Sequence, residues 1–347
     1  MDLIKARLKK LLILLSSLFG IVMLGACSIL ISKPQPTPTA TASTFLFTPT
    51  PQPKPLGDAE NPVIQGIVTQ EENQSLTEAG AAFADQLKVF TGYTFQTRFF
   101  KDYPALLREM EQGRLHLAWL PPMTYIYAQQ EGFAQVIFLT NHFGVFQYGS
   151  QFLANTDSGF IPYFDPALGV NVADAATALQ QFTARQPCYV DPTSPSGYIL
   201  PASLLKASTI ETLPGAMLQN HTAVIRALYI KDICDFGVTF AISGDPRTSA
   251  NLQDLPDVAD RIQIIWRSEA MIPNTCLSLL PEIPEEMRTN IINAYQEVAK
   301  TEDGLKLIST ALQYDVQGLH QTDSSVYVPL QDALKILETD PAVLIGR

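Results

Sequence analysis

The sequence predicts an α/β protein of two lobes with a ligand cleft between them. Three observations predict it. Strand-like and helix-like segments alternate from residue 63 onward. The rhythm restarts after Phe152, so the pattern occurs twice. The stretch from 61 to 347 is long enough for two domains of ordinary size. Two such lobes leave a cleft, the usual seat of a small ligand.

The elements follow from local pattern. Residues 63–69 read as a strand. Residues 76–91 read as a helix, with Ala79, Phe83, Leu87 and Phe90 on one face and Gly92 as its C-cap. A strand at 94–99 precedes a helix at 103–112, with Leu106, Leu107 and Met110 inward and Gly113 closing it. A buried strand at 115–120, a short helix at 124–131 and a strand at 135–140 follow. This order predicts a parallel sheet with helices on both faces. The second run gives a helix near 171–183, a strand at 188–190, a helix after Ser196, a helix at 221–229 and a strand at 236–242. A strand at 262–266, an extended stretch at 275–280 and helices at 285–300 and 304–312 close the chain. The expected boundaries are a leader at 1–26, a tether at 27–59, lobe one at 60–148 plus 272–347, and lobe two at 149–271. The chain then crosses between lobes twice, through a two-strand hinge.

The N-terminus reads as an export signal. Lys5, Arg7, Lys9 and Lys10 stand against one acid, Asp2, and an apolar run extends over 11–24. That run is shorter than the roughly 20 residues a membrane span needs. Leu24-Gly25-Ala26-Cys27 resembles a lipobox, in which Cys27 is lipidated and becomes the first residue. Seven prolines lie between Pro34 and Pro55, among many threonines. Such a segment buries too little apolar area to fold and acts as a semi-rigid spacer between lipid and domain.

Without the leader's four bases and one acid, 19 Lys and Arg face 33 Asp and Glu. An acidic chain with no basic cluster argues against nucleic-acid binding. Cys188, Cys234 and Cys276 remain after Cys27, so at most one internal disulfide forms, and its pairing stays open. His116, His142, His221 and His320 are scattered, without the spacing of a metal site. Neither a Gly-x-Ser-x-Gly elbow nor a phosphate-binding glycine loop occurs. No cofactor is expected. A hydrolase built from Ser196, His221 and Asp235 can be written down, and so can a surface lipoprotein without a ligand.

Several segments, in order, carry a resemblance. They are Lys101-Asp-Tyr103, the run from Gly113 to Tyr125 containing Ala118-Trp119-Leu120-Pro121-Pro122, and Asp191-Pro-Thr-Ser-Pro-Ser-Gly197. His221, Asp235-Phe-Gly237, Ile265-Trp-Arg-Ser268 and Ile272-Pro-Asn-Thr275 complete them. The chain resembles the phosphate, phosphite and phosphonate-binding proteins of ABC importers over about residues 61–337. The resemblance implies a bilobal type II periplasmic-binding-protein fold, here as a lipid-anchored monomer. Its partners would be a small phosphorus oxyanion, an ABC permease, and the membrane through lipid on Cys27.

The same resemblance implies ligand contacts from Tyr103, Tyr125, Ser194, Ser196, Gly197 and His221. The chemistry is coherent. Ser194 to Gly197 lies between a strand and a helix, and a helix N-terminus offers free N–H groups and a positive dipole end to an oxyanion. Pro195 replaces the family's central Thr and removes two donors. Pro201 is placed to distort the following helix. Trp119, Pro121 and Pro122 are expected in the core and cleft floor. Thr275, and Val238 onward, stand where relatives that bind aminoalkylphosphonates carry acids, so the expected ligand has no free amine.

Overall fold

The chain in order sets out two halves around two sheets. The computed structural model describes residues 54–347 except 72, so the leader, Cys27 and most of the tether lie outside the described residues. The chain opens with β1 (Val63–Val68), α1 (Gln74–Thr91), β2 (Phe95–Phe100), α2 (Tyr103–Glu111), β3 (Leu117–Leu120), α3 (Pro122–Gln130) and β4 (Gln135–Asn141). Strand β5 (Gln147–Asn155) carries it into the second half. There follow β6 (Phe164–Asp165), β7 (Val170–Asn171), α4 (Ala175–Leu179), β8 (Pro187–Tyr189), α5 (Leu200–Ala207) and β9 (Ala216–Met217). Helix α6 (His221–Ile230), β10 (Phe236–Ala241), α7 (Val258–Arg261) and β11 (Ile262–Arg267) complete that half. Strand β12 (Ile272–Pro273) leads back to β13 (Cys276–Leu279), α8 (Glu285–Ala299), α9 (Glu302–Leu312), β14 (Gly318–Gln321), α10 (Val328–Leu337) and α11 (Pro341–Leu344). Among the described residues no helix is long and apolar enough to cross a membrane.

The first sheet runs β14-β4-β13-β3-β1-β2 and the second β11-β5-β10-β8-β9, with β12 also on β5. The expected parallel sheet is corrected to a mixed one. Strand β1 pairs in parallel with β2 and β3, but β13 is antiparallel to both β3 and β4. The reason is the double crossing. Strand β4 leaves its sheet at the end facing the other half, and β13 returns at that same end, so it must run the opposite way. The expected helix near 171–183 shrinks to Ala175–Leu179 and a single 3-10 turn, Gln180–Phe182.

Local signals explain the elements that hold. Asn73 caps α1 by accepting from Leu76 N at 3.0 Å, and Gly92 ends it at φ 78°. Helix α1 buries Leu76, Ala79, Phe83 and Leu87, while Phe90 stays half exposed. One polar chain runs through this core. Tyr295 donates to Gln65 Oε1 at 2.7 Å, Gln65 Nε2 donates to Thr97 Oγ1 at 2.9 Å, and Thr97 donates to Gly80 O at 2.7 Å. It ties α8, β1, β2 and α1 together and satisfies groups that would otherwise be costly to bury.

The two halves meet where β5 passes Ser268 and Glu269. Ser150 N donates to Ser268 Oγ and Ser268 N to Ser150 O, both at 2.8 Å. At Gly149 a Cβ would lie 2.7 Å from Glu269 O and 3.0 Å from Ser268 O, so only glycine admits this approach.

Cys188 and Cys234 form a disulfide between β8 and the turn before β10, and Cys276 is free and buried. The bridge spans 46 residues. Cross-linking a loop of that length constrains the unfolded chain by about 4 kcal/mol. The double variant Cys188→Ala/Cys234→Ala should therefore unfold at lower urea, with a loss near that figure. A loss below about 1 kcal/mol would show that the bridge adds little constraint.

Candidate functional site

A cavity of about 740 Å³ opens between the two halves. Four helix starts reach it. Tyr103 begins α2, Pro122 to Thr124 begin α3, Pro195 and Ser196 begin the turn that leads into α5, and His221 begins α6. Each start brings N–H groups and the positive end of a helix dipole. The first two starts come from one half and the last two from the other.

Each start has its own local cause. Asp102 caps α2 by accepting from Ala105 N at 2.7 Å. Pro121 occupies the cap position of α3 and supplies no side-chain bond to its first turn. Asn220 caps α6 by accepting from Ala223 N at 2.8 Å. The turn at Pro195–Ile199 is π-helical, and Pro201 falls in the first turn of α5. Proline cannot donate to the carbonyl four residues back. That carbonyl, Gly197 O, instead accepts from Val190 N at 3.1 Å. Pro201 thus shapes the turn and links it to β8, and such π-turns recur at functional sites.

The expected contacts separate into two groups. Tyr103, Ser196 and His221 all line the cavity. Tyr125, Ser194 and Gly197 do not. Tyr125 is fully buried, with its ring centroid 4.2 Å from that of Tyr327, and its hydroxyl accepts from Val136 N at 3.4 Å. It sits in the core because neighbouring helical positions point about 100° apart. Its neighbour Thr124 takes the cavity side. Ser194 Oγ accepts from Gly197 N at 3.0 Å, which makes it the cap of the turn. Gly197 is needed for packing, since a Cβ there would lie 2.4 Å from Val190 Cγ2. Pro121 and Pro122 line the cavity, whereas Trp119 is a core residue beside Tyr295.

Residues outside the motifs also reach the cavity. Tyr148 lies on β5, which has no obvious strand pattern, and its hydroxyl meets that of Ser196. Tyr314 joins from the last part of the chain, beside Thr275 of the Ile272-Pro-Asn-Thr275 segment. Tyr314 is in contact with the hydroxyls of Thr140 and Thr275.

The electrostatics favour neutral donors. Burial pushes the phenols of Tyr103 and Tyr148 up to about 12, so both keep their protons at neutral pH. Burial lowers His221 to about 4, opposed by the nearby Asp191 carboxylate. His221 Nδ1 is buried and has no protein partner. The one carboxylate among the described residues lining the cavity is Asp102, whose Oδ1 caps α2.

A hydrolytic triad is not assembled. Asp235 accepts from Gln186 N at 2.7 Å and lies outside the cavity lining. His221 therefore lacks the carboxylate that would orient it. Among the described residues no group of His, Cys, Asp and Glu could hold a metal ion.

No curated relative matches the sequence. Solved structures that share the fold include two with bound ligands. XAC2383 from Xanthomonas citri, bound to ATP, aligns with a TM-score of 0.58 and 14% identity, over 80% of this chain and 96% of that one. PhnD1 from Prochlorococcus marinus, in complex with methylphosphonate, aligns with a TM-score of 0.52 and 12% identity, over 80% of this chain and 98% of that one. The profile described as "ABC transporter, phosphonate, periplasmic substrate-binding protein" matches residues 65–327, most of the chain. The chain belongs to this family of periplasmic substrate-binding proteins of phosphonate ABC transporters.

Proposed function

We propose that the chain is a lipid-anchored receptor that captures a phosphorus oxyanion in the cleft and delivers it to an ABC permease. The phosphite, alkylphosphonate or phosphate head would accept from Ser196, Tyr103, Tyr148 and His221. The lobes at 60–148 plus 272–347 and at 149–271 would close over it about the two crossing strands. The observation that carries this reading is the convergence of four helix starts on one cavity, two from each half. Such starts bind oxyanions through N–H groups and dipole ends, without a cation. The expected ligand carries no ammonium, because Thr275, where aminoalkylphosphonate binders of the family carry an acid, puts a hydroxyl on the cavity wall. A buried ammonium without a carboxylate is costly. Capture outside the cytoplasm follows from the family, and lipid on Cys27 would hold the receptor near its permease.

Three measurements test this. A hydrogen bond to a charged group contributes about 1.5–3 kcal/mol, so Ser196→Ala should weaken methylphosphonate binding about 10- to 150-fold in calorimetry. Unaltered affinity would remove Ser196 from the contact set. Cys27→Ser should shift the protein from the membrane to the soluble fraction and abolish the lipid mass on the N-terminal peptide. An unchanged fractionation with no lipid would refute the anchor.

The third measurement is the titration of His221. Its pKa in the free protein, about 4, lies below the ordinary value near 6.5. The folded state thus favours the neutral ring. Its contribution to stability is full above about pH 6.5 and is lost as pH falls toward 4. A bound anion favours the charged ring and opposes this shift. NMR should find the His221 midpoint near 4 in the free protein and higher with methylphosphonate bound. An unmoved midpoint would place the imidazole away from the anion.

A further inference from the structure

The turn between β4 and β5 holds an aromatic residue in a conformation that aromatic residues avoid. His142 N donates to Val145 O at 2.8 Å, and Val145 N donates back to His142 O at 3.2 Å. The two residues between them, Phe143 and Gly144, have φ of 49° and 80°. A two-residue turn with both φ positive is the type that takes Asn-Gly or Asp-Gly. A bulky side chain at positive φ is an outlier. Strain of this kind persists only where the surroundings enforce it, and it clusters at ligand clamps.

The surroundings do enforce it. His142 Nδ1 is 2.7 Å from Asp315 O, and Gly144 N donates to Gln317 Oε1 at 2.8 Å. The His142 ring stacks on Tyr314 with centroids 4.1 Å apart and planes 22° apart. Its centroid is 4.2 Å from that of Phe143. Phe143 is thus the outer member of a row of three rings, all of which line the cavity. It is 60% exposed, so the strained turn brings no burial in return.

The volume points the same way. A cavity of about 740 Å³ falls in the range of about 300–1,000 Å³ that encloses drug-sized ligands. An anion no larger than phosphate fills a small part of it, since each water takes only about 30 Å³.

We propose that the Phe143-His142-Tyr314 row is a second subsite of the cleft, which takes a flat apolar substituent on the phosphonate. The inference rests on the oxyanion reading and narrows it to arylphosphonates and similar compounds. The anionic head engages the helix starts, and the substituent stacks on Phe143. Ring faces of this kind favour offset or edge contacts with another ring.

The test is calorimetry with methylphosphonate, cyclohexylphosphonate and phenylphosphonate in one buffer, on the wild type and on Phe143→Asn. The variant removes the ring and puts at 143 a residue at home in the turn. The wild type should bind phenylphosphonate at least about tenfold more tightly than methylphosphonate, and more tightly than cyclohexylphosphonate. Phe143→Asn should melt no lower than the wild type and hold the two within about twofold of each other. Equal binding of methyl and phenyl compounds to the wild type would overturn the subsite, and so would an intact phenyl preference in the variant. Cyclohexylphosphonate binding as tightly as phenylphosphonate would overturn the flatness of the substituent. If methylphosphonate binds and the phenyl compound does not, the subsite fails while the oxyanion reading stands. If none binds, both fail.

Discussion

The close pass of β5 against Ser268 and Glu269 sets everything else in this protein. One strand, β5, pairs with β12 near its start and with β10 and β11 further along. It therefore belongs to the sheet of one half while its first residues face the return path to the other. Gly149 makes the approach possible, since any Cβ would collide with backbone oxygen. From this pass follow the antiparallel β13, the mixed first sheet and a cavity bounded by both halves. Tyr148 stands one residue before the pass, which places its hydroxyl against Ser196 across the cavity.

The segment that carries Ser196 is held from both sides. Gly197 lies against Val190 of the second half, and Gly197 O takes the Val190 N–H. Yet Ile199 and Leu200, a few residues on, are buried in the core of the first half with Leu330 and Leu334 of α10. An ion pair from Lys206 to Glu338, 3.1 Å long, joins the same two helices at the surface. Exposed pairs of this kind contribute little, so the buried apolar contacts carry the attachment. The turn that carries Ser196 is therefore packed against both halves.

A net negative protein can still present an anion site, because the relevant field is local. The helix starts aim fixed dipoles at the cavity, and they need not reorganise when a ligand arrives. Burial keeps Tyr103 and Tyr148 protonated and therefore able to donate. The same burial lowers His221 and keeps its ring neutral. Desolvation thus favours the neutral, hydrogen-bonding form of Tyr103, Tyr148 and His221 alike. The strained Phe143 adds an apolar end to this polar one.

The alternating α/β class and the helix stops at Gly92 and Gly113 were legible in the chain, and its resemblance to a known family pointed to six contacts, of which Tyr103, Ser196 and His221 line the cavity. These depend on periodicity, capping chemistry and short motifs, all of which act over a few residues. Tertiary structure decided the direction of β13 and the existence of β5, because both follow from the double crossing. It also decided that Thr124 rather than Tyr125 faces the cavity. Both residues sit on one short helix, and only its packing against Tyr327 and Val136 chooses the face. Ser194 and Ser196 look alike as donors in the sequence. The π-turn at Pro195–Ile199 makes the first a cap and the second a cavity wall. The pairing of Cys188 with Cys234, which leaves Cys276 free, needed the sheet to bring β8 beside β10. Apart from the Ser194 cap, which is local, the deciding contacts join residues that only the fold brings together, and local pattern carries no information about such contacts.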